Sequence, residues 1–185
     1  MKKFLVIIIL SLCLMHPSQA DDIREFQIEG MSIGDSLLDY TTEDKIKENS
    51  KPLSIGHKKY NQYRKFIISL NNEQYTYASI NFKAGDNKYL IKSIAGRKYY
   101  KDNIDECYDK LKILSEEIKS IANTKMIGPF RARNNNFPNG ESFKEEVMFK
   151  YKDGSYIRLI CYDYSKKDTR SYDRLSVVLW SSDYR

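Results

Sequence analysis

The sequence predicts an α+β domain in which an antiparallel sheet carries one long amphipathic helix on one of its faces. Three observations lead there. The stretch from Asn103 to Asn123 has Ile104, Cys107, Tyr108, Leu111, Leu114, Ile118, Ile121 and Ala122 at spacings of three and four, with charged residues between them. The segments on either side alternate apolar and polar residues with the period of strands. Finally, these strands are separated by short turn signals, of which Asp153-Gly154 is the strongest, and not by helices, so the sheet is built from hairpins.

The elements follow in order. Residues Met1 to Ala20 read as an export signal: Lys2 and Lys3 form the basic start, Phe4 to Met15 the apolar stretch, and Ser18 and Ala20 are the small residues of a cleavage site. Cys13 follows Leu12, where lipid attachment needs a small residue, so no lipid anchor is expected. The mature chain, residues 21–185, is expected as a single domain of 165 residues (185 less 20). Ile23 to Glu29 is expected as a first strand. Ser32, with Asp35 as its acidic partner, is expected to start a short helix, and Thr41-Thr42 a second one ending near Asn49, with Pro52 blocking further helix. Ser50 to Asn61 reads as a polar linker. Arg64–Leu70, Tyr75–Phe82 and Tyr89–Ala95 then form a three-stranded meander. Asn103 caps the long helix, paired with Glu106. Thr124 to Glu141, with two prolines and three consecutive asparagines, reads as a long loop. Phe143–Tyr151, Tyr156–Tyr164 and Arg174–Trp180 form a second three-stranded meander, so a helix-plus-three-strands unit occurs twice.

Composition narrows the function. Without the leader, 29 basic residues face 25 acidic ones, a mild excess spread along the chain that does not point to nucleic acid. No segment after the leader is long and apolar enough to span a membrane, and the Lys-, Asn- and Ile-rich usage together with the leader fits a Gram-negative bacterium with an AT-rich genome, so a periplasmic or secreted protein is expected. The mature chain keeps two cysteines, Cys107 on the apolar helix face and Cys161 on the inward side of a strand. In an oxidising compartment they are expected to form a disulfide, with two buried free thiols as the alternative. One mature histidine, His57, and two cysteines do not assemble a metal site, and no glycine-rich phosphate loop is present, so no metal and no cofactor is expected.

Gly34-Asp35-Ser36-Leu37 resembles the nucleophile block of GDSL-type (SGNH) hydrolases, which implies a serine hydrolase using Ser36. That family's Asp-x-x-His and Gly-x-Asn-Asp blocks are missing: three residues before His57 stands Ser54. Ile28-Glu29-Gly30-Met31-Ser32, leading into Leu37-Leu38, resembles the helix start of SmpA/OmlA-type envelope proteins, which implies a role in outer-membrane assembly. The segment from Ile33 to Tyr40 is similar to one shared by an uncharacterised group of small exported bacterial proteins.

Tyrosine is the compositional oddity, with 15 residues against 1 Trp. If Ala78, Ile80, Phe82, Ile157, Leu159 and Cys161 face inward, then Tyr75, Tyr77, Arg158, Tyr162 and Tyr164 face outward. Tyrosine and arginine on an open sheet face favour recognition, because they offer contact area with a polar tip at low entropy cost. The expected function is therefore a non-enzymatic periplasmic binding or envelope-assembly module for a protein or glycan. The alternatives are a hydrolase using Ser36 and an inhibitor of a periplasmic enzyme.

Overall fold

The computed structural model describes residues 20–55, 58–101, 103–134, 141–165 and 172–184. Among them are strands β1 (Lys51–Ile55), β2 (Lys58–Ser69), β3 (Tyr77–Lys83), β4 (Ile91–Tyr99), β5 (Met126–Arg133), β6 (Phe143–Lys150), β7 (Tyr156–Asp163) and β8 (Arg174–Trp180). Two α-helices accompany them, α1 (Glu43–Asn49) and α2 (Ile104–Ile121). All the strand pairs are antiparallel, in a single sheet ordered β1-β2-β3-β4-β8-β7-β6-β5. The chain thus makes two four-stranded meanders, each preceded by a helix. They join through their last strands, with Ser93 opposite Trp180 and Tyr99 opposite Arg174. The order reads the same from either edge when the two meanders are exchanged.

Each meander has one strand more than expected, and in both cases it is the edge strand. β1 lies within the expected linker and β5 within the expected loop. β1 contains Pro52 and β5 contains Pro129, and each slips register beside its proline, between Pro52 and Leu53 and between Ile127 and Phe130. Proline lacks the N–H that an inner strand must donate, so it is tolerated at an edge, where with a bulge it also hinders pairing with other chains. In β5, Gly128 has φ +106°, and a Cβ there would lie 2.7 Å from the Glu146 carbonyl oxygen. The bulge therefore requires glycine.

One face of the sheet carries Phe66, Ala78, Ile80, Phe82, Ile94, Val147, Phe149, Ile157, Leu159, Cys161, Leu175, Val177 and Leu179, all buried. Helix α2 covers the β6–β8 half, burying Cys107, Leu111 and Ser115. Its cap matches the expected pair: Asn103 Oδ1 accepts the Glu106 N–H, while Asn103 Nδ2 donates to Glu106 Oε1 at 2.8 Å. Ile121 departs from the expected stripe and is 46% exposed, because the stripe drifts to Ser115 and Ala122. The Sγ atoms of Cys107 and Cys161 lie at bonding distance, with Cα atoms 6.0 Å apart, and this link ties α2 to β7.

The N-terminal segment covers the other half of the same face through Ile23, Ile28, Met31, Ile33, Leu37 and Ile46. It is not a strand at Ile23–Glu29. Asp22 and Glu25 form a reciprocal capping box that folds Ile23–Glu25 into a 3-10 turn. Nor does a helix start at Ser32, whose N–H donates to Asp35 Oδ2 and whose hydroxyl donates to the Phe26 carbonyl. The next turn, Leu37–Asp39, is capped by Ser36, and α1 by Thr42.

Candidate binding face

The face opposite α2 follows from strand parity. Reading across the sheet from β4 to β6, one row is Tyr99, Arg174, Tyr162 and Lys144. The next runs from β3 as Tyr77, Arg97, Ser176, Ile160 and Glu146. A third is Ile67, Ser79, Ala95, Val178, Arg158 and Met148. Among the described residues no helix lies on this side, yet Ser79, Ser93, Ala95 and Ser176 are buried. Their short side chains form a floor between the long tyrosines and arginines of neighbouring rows. At one end of the face the C-terminal turn folds over: Tyr63 donates to the Asp183 carbonyl and Trp180 Nε1 to that of Tyr184. A cavity of about 380 Å³ remains there, lined by Leu53, Tyr60, Tyr63, Tyr156, Trp180 and Tyr184.

The other end holds a tyrosine–arginine cluster. The Arg97 guanidinium lies 5.4 Å from the centre of the Tyr77 ring and donates to its hydroxyl at 3.3 Å. Tyr77 and Tyr99 rings are 5.8 Å apart, and Tyr99 meets the exposed Tyr172 edge-on at 5.9 Å. The Arg174 guanidinium lies 4.9 Å from the Tyr162 ring and 5.3 Å from that of Tyr164, and the two rings stack on each other at 5.8 Å. Burial alone pushes the Tyr77 phenol up, but Arg97, Tyr99 and Arg174 outweigh it and leave Tyr77 below its ordinary value.

Of the residues expected on this face, Tyr77, Arg158 and Tyr162 lie on it half-buried, and Tyr164 sits at its margin, buried under the stack with Tyr162. Arg158 differs in character from Arg97 and Arg174. Its guanidinium bonds to Glu146, which also accepts from Lys144 at 3.1 Å, so its charge is compensated within the sheet. Tyr75 is misplaced. Asn72 Oδ1 accepts the N–H groups of Gln74 and Tyr75 in a turn, so β3 begins only at Tyr77. The Tyr75 ring therefore falls over Gly96, beside Ile28 on the helix-covered face. Parity missed Arg97 and Tyr99, because the strand was expected to end at Ala95. Arg174 was within reach of the same reasoning, being two residues from the outward Ser176.

Ser36 is held by the main chain. Its Oγ donates to the Lys88 carbonyl at 2.8 Å and accepts the Leu38 N–H at 3.2 Å, and among the described residues no acid or base is bonded to it. The neighbouring Asp35 accepts from Ser32 and from the Tyr40 hydroxyl. His57 lies outside the described residues, as does the leader up to residue 19. Among the described residues no group of three or more His, Cys, Asp and Glu side chains converges on a metal position, and no helix is long and apolar enough to cross a membrane. No family model, no curated protein and no solved structure matches this chain.

Proposed function

We propose that this chain is an exported, non-catalytic binding module whose open sheet face takes a protein partner in the cell envelope. The observation that carries this reading is the face itself. It is bare of helices among the described residues, yet it presents Tyr77, Tyr99, Tyr162, Arg97 and Arg174 as one half-buried array. Such rings and guanidiniums are enriched at the centres of protein interfaces. The export signal read at Met1–Ala20 and the cysteine pair at bonding distance support a periplasmic address, and the likeness to SmpA/OmlA-type proteins supports a role in envelope assembly.

The test replaces Tyr162 with the photo-crosslinking residue p-benzoylphenylalanine in living cells, with a control at the exposed Glu117 on the outer side of α2. The expected result is a discrete protein adduct at position 162 and none at 117. No adduct at either position in folded, exported protein, or the same adducts at both, would remove the open face as the functional surface.

A further inference from the structure

We infer that Arg97 and Arg174 together form a receptor for a carboxylate carried by the protein partner. The inference rests on the reading that the open face is the binding surface, and it specifies the chemistry of the partner.

The two arginines stand on adjacent strands, diagonal to each other, since Arg97 is opposite Ser176 and Arg174 opposite Tyr99. Such neighbours are about 7 to 8 Å apart at the backbone, so two long side chains on the same face can address one anion. Ser176, opposite Arg97, is short and buried, so the row beside Arg174 sets no long side chain between the two arginines.

Neither guanidinium has a counter-ion among the described residues. Arg24 pairs with Asp22, Arg131 with Asp163 and Arg158 with Glu146, whereas Arg97 bonds to the Tyr77 hydroxyl and Arg174 lies over the Tyr162 and Tyr164 rings. Moreover, the Nε atoms of both arginines are buried without a hydrogen-bond partner. A partly desolvated cation with unsatisfied donors is a standing penalty, and an arriving anion relieves it. The cluster is also preorganised. Arg97 lies over Tyr77, and Arg174 over Tyr162 and Tyr164, contacts that hold the two guanidiniums in place, and a guanidinium is the group whose fork matches a planar carboxylate. A protein carries its anions as Asp, Glu and C-terminal carboxylates, so an acidic side chain from the partner is the group this site accepts.

The experiment follows the arginine Nε–Hε resonances of the mature chain by ¹H–¹⁵N NMR. Three probes are titrated at matched ionic strength: a short blocked peptide with one glutamate, its glutamine counterpart, and sodium sulfate. Saturable shifts of both Arg97 and Arg174 with the glutamate peptide are expected, with the glutamine peptide at least about tenfold weaker. R97K and R174K, which keep the charge but lose the fork, should each weaken the glutamate peptide by about tenfold while the thermal melt stays within a few degrees of wild type. Equal effects of the glutamate and glutamine peptides, saturation by sulfate alone, or no saturable shift would each overturn the carboxylate assignment. A crosslinked partner found while the glutamate peptide has no effect leaves the binding face standing and removes only this inference.

Discussion

The Cys107–Cys161 link offers the sharpest stability test. The two residues are 54 apart in sequence, and closing a loop of that length removes unfolded-state entropy worth about 4 kcal/mol near room temperature in the chain-entropy model. For the 165 residues that follow the expected export signal (185 less 20), an unfolding entropy of about 2.1 cal/mol/K per residue gives about 0.35 kcal/mol/K, so reduction should lower Tm by roughly 12 °C. Both cysteines are fully buried, so the reduced form is made by unfolding in reductant and refolding. Circular dichroism melts of the oxidised and reduced chains give the shift. Urea unfolding should show a larger m-value for the reduced chain, whose unfolded state is less constrained. A shift below about 3 °C would refute the entropic argument for this loop. Two thiols titrating with a chromogenic disulfide in the unfolded but unreduced protein would refute the link itself.

The packing of Tyr75 over Gly96 gives a second prediction. Gly96→Ala brings a Cβ to 2.6 Å from the Tyr75 ring and 3.0 Å from Ile28, and should cost about 1 to 3 kcal/mol by urea unfolding. Tyr75→Ala in the same chain should recover on the order of 1 kcal/mol of that, and strict additivity would contradict the contact. Truncating the centre of the α2 interface, Leu111→Ala, should cost about 2 to 5 kcal/mol in the same assay. Ser36 should fail to label with a serine-reactive phosphonate in folded protein, and Ser36→Ala should lower stability by about 1 kcal/mol through loss of its cap. Burial pushes the Glu146 carboxyl up, but bonds from Arg158 and Lys144 outweigh it and hold it below the ordinary glutamate value. The native state therefore binds fewer protons in that range, so this contribution is present above it and disappears as pH falls through the folded value. E146Q should flatten the acid limb of a stability-versus-pH curve, and an unchanged limb would show that the trio contributes nothing.

What the sequence revealed follows from where period and parity are strongest. Arg174–Trp180 matches β8 because Leu175, Val177 and Leu179 are buried between two inner strands, and α2 shows its stripe because it is a long helix covering one surface. β1 and β5 escaped because edge strands face solvent on one flank and carry Pro52 and Pro129, so they lack apolar alternation and read as linkers. At Ile23–Glu29 the weak alternation of Ile23, Phe26 and Ile28 suggests a strand, but the Asp22-x-x-Glu25 box, through its hydrogen bonds, decides the local conformation. On the binding face, Tyr77, Arg158 and Tyr162 were legible from strand parity. Tyr75 was not, because its direction is set by the Asn72 turn and by the absence of a side chain at Gly96, two strands' worth of chain away. That Arg158 is neutralised and Arg97 is not depends on Glu146 standing diagonally beside Arg158 on the neighbouring strand, with no acid so placed beside Arg97 among the described residues, a fact of register that no single strand contains.

The pairing of β4 with β8 ties the whole fold to the arrival of its last strand. Whether the chain emerges from a ribosome or a translocation pore, it does so from its N-terminal end, and β4 is complete while most of the second meander has yet to appear. Until Arg174–Trp180 arrives, the central strand of the finished sheet is an exposed edge with unpaired N–H and C=O groups, and unlike β1 and β5 it carries no proline to discourage strangers. The sheet therefore closes late, from its middle, and a product cut short before β8 would be a half-sheet with an adhesive flank.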